Sequence, residues 1–227
     1  MMPARLLRYA ALQFVVLVGL AMAFYQGGTW WDPTTSGYAL GRNFLSDLGM
    51  TRAYSGETNY VSCVMFTIAL TSLGLGLVPF AWTWRRFAFT QGRAVAAGHA
   101  SAVLGTLCGL AFAGIGVTPF DLALHAHNTL VLVGFGLLPV YIGALSFLLW
   151  RNGRRGALLA SSIVYLAVVV GYAALIFLGP SLATPHGHKL QVVGQKLIAG
   201  ASIAHLLVLC TLARALDTRV VTIRSIS

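Results

Sequence analysis

The chain reads as an all-α, polytopic transmembrane bundle of six helices with both termini cytoplasmic, and three observations lead there. Of its 227 residues 58% are hydrophobic and only 9% charged, with a mean hydropathy of +0.81, which suits a membrane bundle and not a water-soluble domain. Six apolar stretches reach or approach the ~20 residues a helix needs to cross a hydrocarbon core about 30 Å thick. The basic residues, finally, sort to one side of those stretches.

The first stretch, Leu7–Tyr25, follows Arg5 and Arg8 and ends in Phe24 and Tyr25. Ala21-Met22-Ala23 would suit a secretory cleavage site, but the apolar run continues past it into interfacial aromatics, so retention as a first helix is expected. Residues 26–59 then form a connection long for a compact fold. With Trp30 and Trp31 suited to headgroup level, it is expected to cap the external end. The remaining spans are Tyr60–Thr83, Ala94–Ile115, Asn128–Trp150, Ala157–Leu178 and Leu190–Ala213. Short turns at 84–93 and 151–156 join antiparallel neighbours, and the whole chain, 1–227, makes one domain. Gly74, Gly76, Gly134 and Gly136 inside the spans favour close helix approach.

Orientation follows from eleven of the fifteen Lys and Arg: Arg5, Arg8, Arg85, Arg86, Arg93, Arg151, Arg154, Arg155, Arg214, Arg219 and Arg224 fall on one side, which is therefore cytoplasmic. Opposite them lie Arg42, Arg52, Lys189 and Lys196 with four of the five acids, Asp32, Asp47, Glu57 and Asp121; Asp217 lies inside. The net charge of +10 then reflects topology and anionic membrane lipid, not nucleic acid, for which no basic stripe on a soluble domain exists. Cys63, Cys108 and Cys210 fall within spans without Cys-x-x-Cys spacing and read as small core residues.

In a chain with so few acids, Asn43, Ser46 and Asp47 within five positions mark a site or a capped short helix stopped by Gly49. Asp121 and His125, four apart, would share a face if the fourth helix began near Phe120, as two metal ligands would; Asp121 after Pro119 equally suits a helix cap. His125, His127, His186 and His188 lie at similar external depth, so with Asp47 or Asp121 they offer a zinc set, and Asp47, Asp121 and His125 holding a zinc-bound water would make an intramembrane hydrolase. Ser46 beside a histidine also raises serine hydrolysis, though no Gly-x-Ser-x-Gly elbow exists.

His99 and His205 lie inside spans, where a polar ring is costly. They read either as histidines hydrogen-bonded to Ser or backbone across the bundle, or as axial ligands of a haem-binding transmembrane cytochrome. Gln195 and Lys196 sit about one turn into the sixth span, where Lys196 either snorkels to the interface or turns inward toward Asp47 or Asp121.

Three segments resemble a family of bacterial and archaeal membrane proteins known as domain of unknown function 998. Asn43-Phe44-Leu45-Ser46-Asp47-Leu48-Gly49 is similar to its Asn-x-Ile-Ser-Asp/Glu-Leu-Gly signature. Gly114-Ile115-Gly116-Val117-Thr118-Pro119-Phe120-Asp121, followed by His125, resembles its Gly-x-Phe-Pro-x-Asp segment, with Thr118 in place of Phe. Gly194-Gln195-Lys196 resembles its Gly-x-Glu/Gln-Arg, with Lys196 in place of Arg. A looser likeness is to the Frag1/DRAM/Sfk1 group of six-helix proteins linked to lipid organisation. The resemblance implies six helices and a shared external polar site, without an established activity. The expectation is a pocket of Asn43, Ser46, Asp47, Asp121, His125, Gln195 and Lys196 that binds a lipid-like or amphiphilic ligand approaching from the membrane.

Overall fold

The computed structural model describes residues 2–88, 93–151, 153 and 156–224, including the side chains of 2–83, 95–151, 153 and 156–211. Arg154 and Arg155 lie outside the described residues, as do the side chains of Arg85, Arg86, Arg93, Arg214, Asp217, Arg219 and Arg224. Among the described residues six α-helices are present: α1 Met2–Phe24, α2 Tyr60–Ala88, α3 Arg93–Val117, α4 Leu124–Arg151, α5 Ala157–Leu178 and α6 Pro185–Arg224. All six are long and apolar enough to cross a membrane, so the chain is a multi-pass, all-helical membrane protein.

Three helices start four or five residues ahead of the sequence expectation, α1 at Met2 rather than Leu7 among them. α4 begins at Leu124 rather than Asn128, and α6 at Pro185 rather than Leu190. Polar residues end an apolar run without ending a helix, and Pro185 takes the first helical position, where its missing N–H leaves no bond unmade. His125, His127, His186 and His188 therefore stand in opening helical turns, not in loops. Asp121 lies before α4, in the turn 119–123, so it and His125 do not share a helix face.

The helices close a ring. Each packs on its chain neighbours, and α6 returns to α1. Small residues permit the tightest crossing: a Cβ on Gly74 of α2 would lie 2.5 Å from the carbonyl oxygen of Gly109 in α3, and one on Gly109 would lie 2.6 Å from that of Gly74, which is backbone-to-backbone packing. Gly76, Gly134 and Gly136 meet neighbours at ordinary contact distances instead. One buried cluster joins Leu77, Phe80, Cys108, Tyr141, Leu145, Tyr165 and Ile198; another joins Phe14, Val18 and Ala21 of α1 to Leu45, Leu48, Phe66 and Ile203. Cys63, Cys108 and Cys210 are all buried.

Between α1 and α2 the long connection folds over one end of the ring. Its centre is a 3₁₀ helix, Leu45–Gly49, whose last carbonyls are taken by the start of α2. Ser62 Oγ donates to Leu48 O at 3.0 Å, Asn59 Nδ2 to Met50 O at 2.9 Å and Cys63 Sγ to Gly49 O at 3.1 Å. Gly49 is required by proximity, since a Cβ there would come within 2.7 Å of the Phe66 ring. Gly28 is required by conformation: its φ of +81° is one that side-chain-bearing residues rarely adopt, and it sits on the Tyr54–Ser55 backbone.

Candidate functional site

The cap is knotted to α6 through buried polar groups. Asn43 is fully buried and Asp47 is 3% exposed. Asn43 Oδ1 accepts from Ala39 N at 3.0 Å, while Nδ2 donates to Gly28 O at 3.0 Å and to Asp47 Oδ2 at 3.1 Å. That carboxylate oxygen also takes the Phe44 amide at 2.8 Å, the reciprocal half of a helix-capping box. Lys196 reaches in from α6, donating to Asn43 O at 2.5 Å and Val192 O at 3.4 Å, with Nζ 5.5 Å from the centre of the Tyr38 ring. Tyr38 Oη donates to the same Asn43 carbonyl at 3.1 Å. Lys196 thus turns inward, toward the cap.

Burial pushes the Asp47 carboxyl up to about 7, although Asn43, the Phe44 amide, the Lys196 charge and Tyr54 all favour its ionised form. Burial, with the Asp47 charge second, drives the Tyr25, Tyr38 and Tyr54 hydroxyls far above the ordinary phenol range.

Asp121 is built differently. It is exposed, and its two oxygens receive Thr51 N at 3.1 and 3.0 Å, Thr51 Oγ1 at 2.6 Å and Arg52 N at 3.1 Å. Burial alone would raise this carboxyl, but the hydrogen bonds outweigh it and hold it below the ordinary carboxylate range. Its place is to pin residues 51–52 of the cap to the α3–α4 turn.

The zinc set is not assembled: among the described residues no three His, Cys, Asp or Glu converge as metal ligands. Asp47 is enclosed in the knot and Asp121 faces Thr51. His127 is buried with Nδ1 2.7 Å from Thr118 O and its ring edge-on to Phe120. His188 is buried against Phe44 and Trp31, at ring separations of 5.1 and 6.3 Å. His125 and His186 are exposed. Nor do the two histidines within the spans face one another as a haem pair would: His99 bonds Val95 O and lies by Trp82 of α2, whereas His205 bonds Ser161 of α5.

Beneath the cap a central pocket runs down the ring, with an empty volume of about 1070 Å³ including its open mouth. All six helices contribute walls, among them Phe14, Phe66, Leu73, Phe112, Phe135 and Ile198. Of the seven expected ligand-binding residues, only Ser46 and Gln195 reach it. Gln195 Oε1 accepts Leu45 N at 2.6 Å, which leaves its amide NH₂ directed elsewhere and fixes the 3₁₀ helix as the roof. Polar groups recur further down, where Tyr165, Ser202 and His205 line the same cavity. From Gln195 to His205 is ten residues of α6, or roughly 15 Å at helical rise.

Sequence reasoning missed Tyr165, Ser202 and nearly the whole apolar wall. Only the cost of burying hydroxyls along α5 and α6 signalled the first two. The fold and the site together define a ring of six membrane-spanning helices with a polar cap over a central pocket. No protein-family model, curated protein or solved structure matches the chain.

Proposed function

We propose that this is a multi-pass protein of the cell membrane, with cytoplasmic termini and an external cap, that binds a lipid-like amphiphile in its central pocket. The distribution of basic residues supports the orientation, and the three short sequence likenesses support a place in the domain of unknown function 998 family. One observation carries the binding reading: the cavity is lined almost wholly by apolar side chains, with Ser46 and Gln195 at its roof and Tyr165, Ser202 and His205 deeper in, which is complementary to an apolar chain with a polar terminus. The apolar chain lies among Phe66, Leu73, Phe112 and Ile198, and the polar terminus meets Ser46 and the Gln195 amide. Because Lys196 is engaged by the Asn43 carbonyl, a neutral terminus suits this roof better than an anionic one.

The test is recovery of bound ligand. Protein purified in mild detergent and extracted for mass spectrometry should yield a defined amphiphile near one per chain. Ala199→Trp, which fills the wall, should lower that yield about tenfold while the protein still unfolds cooperatively. An identical lipid profile in the two proteins would defeat the reading.

A further inference from the structure

Within that pocket, and resting on its being a ligand site, we infer a second polar subsite deeper than the roof, where His205 Nε2 donates a hydrogen bond to a neutral carbonyl oxygen of the bound molecule. His205 is 4% exposed, and its Nε2 is a buried side-chain atom with no hydrogen-bond partner among the described residues. An unmade polar bond in a membrane interior is costly, and this one belongs to a pocket-lining side chain.

The neighbours decide which way the imidazole is protonated. Nδ1 lies 2.8 Å from Ser161 Oγ. The Ser161 hydroxyl proton has no other acceptor among the described residues, so the arrangement that satisfies both groups has Ser161 donating to Nδ1 and leaves the proton on Nε2. The Tyr165 ring stacks on the imidazole at 4.6 Å and 24° and holds its plane. Of the other hydroxyls lining the cavity there, Ser202 Oγ donates to Ile198 O at 2.7 Å, so Tyr165 Oη, 2.7 Å from Ser202 Oγ, is the donor in that pair, whereas Tyr141 of α4 lines the cavity with no hydrogen-bond partner among the described residues.

The subsite therefore offers donors, the His205 N–H with the Tyr141 hydroxyl as a second, and asks for an acceptor. A carbonyl accepts without bringing a proton of its own, whereas a hydroxyl would add a donor and a carboxylate would add a charge in a site lined by no Lys or Arg among the described residues. A ketone or quinone and an acyl ester share this chemistry, each as one neutral carbonyl on an apolar chain.

Competition binding to the purified full chain in nanodiscs, with a long alkane and the methyl ketone and methyl ester of the same chain length, separates the possibilities. The wild type should bind one or both carbonyl compounds about tenfold more tightly than the alkane, the effect of one buried hydrogen bond, and the ratio of ketone to ester tells which source the site prefers. His205→Phe should retain alkane binding and lose the preference. Equal affinity for all three probes in the wild type, or a preference surviving in His205→Phe, overturns the subsite. No binding of any probe instead defeats the pocket reading. Should His205→Phe fail to fold, the imidazole ¹⁵N spectrum of the wild type decides: Nε2 should be protonated and move with the ketone but not with the alkane, and an unprotonated Nε2 overturns the inference.

Discussion

In the cap, Asn43 is bonded to Ala39, Gly28 and Asp47, and the Asp47 carboxylate also takes the Phe44 amide. In the pocket below, His205 Nε2 is buried without a hydrogen-bond partner among the described residues, and Ser46 and Gln195 line a largely apolar cavity. The contrast separates two kinds of polar residue that a membrane protein can bury. Those in the cap complete one another and hold a loop in place. Those in the pocket are left to whatever enters it.

Asn43→Ala should break the contrast most severely. It leaves the Ala39 amide, the Gly28 carbonyl and Asp47 each short of a partner in a buried site, a loss of about 3 kcal/mol or more. Thermal unfolding should show it, and amide exchange should show residues 26–59 losing protection first. A variant as stable as the wild type would mean that the knot does not secure the cap. Gln195→Leu, at the boundary between the regions, should cost about 1–3 kcal/mol by orphaning the Leu45 amide. It should also weaken amphiphile binding, because the same side chain is roof tie and pocket wall.

The asymmetry explains which parts were legible in the sequence. Six spans could be read because a run of ~20 apolar residues has few other uses. The Asn43–Gly49 island stood out because acids are rare, and its reading as a short capped helix matches the 3₁₀ helix found. What it does for Asn43 was not legible: its partners Gly28 and Ala39 depend on the path of the whole loop, including the positive φ at Gly28. The pocket was hidden for a different reason. Its walls are apolar residues scattered over six helices, and in a chain apolar on every face nothing distinguishes a residue that faces lipid from one that faces a cavity. Phe66 and Phe112 line the pocket, yet read alone they are indistinguishable from the exposed Phe147 and Phe177.

The two carboxylates that hold the cap, Asp47 within it and Asp121 in the α3–α4 turn, sharpen the comparison through pH. Burial raises the Asp47 carboxyl to about 7, above its ordinary value near 4. The folded form therefore binds a proton between those values that the unfolded chain does not. The stability this contributes is complete below about pH 4, falls as pH rises toward 7 and is level above it. Asp121 has the opposite sign: its hydrogen bonds lower it, so its contribution is present above about pH 4 and disappears as pH falls through its folded value. Unfolding followed from pH 4 to 8 should show a decline in the wild type that Asp47→Asn removes, and a slope unchanged by that substitution would reject the assignment. Asp121→Asn should cost about 1 kcal/mol or less at neutral pH, since the exposed site is partly solvated and the amide oxygen can keep one bond.

Ser46→Ala should have the smallest effect on stability and is for that reason the most discriminating. Ser46 stands between two residues of the same short helix that behave oppositely, Leu45 bonded to Gln195 and Asp47 enclosed in the knot. If its hydroxyl belonged to the cap, its removal would cost about 1 kcal/mol, as for any bonded hydroxyl. If it belongs to the pocket, unfolding should shift by less than about 0.5 kcal/mol, while affinity for an amphiphile with a polar terminus falls severalfold and affinity for an alkane of the same length holds. Stability and affinity moving together would place Ser46 with Asn43 and Asp47. Affinity moving alone would draw the boundary between cap and pocket through a single turn of 3₁₀ helix.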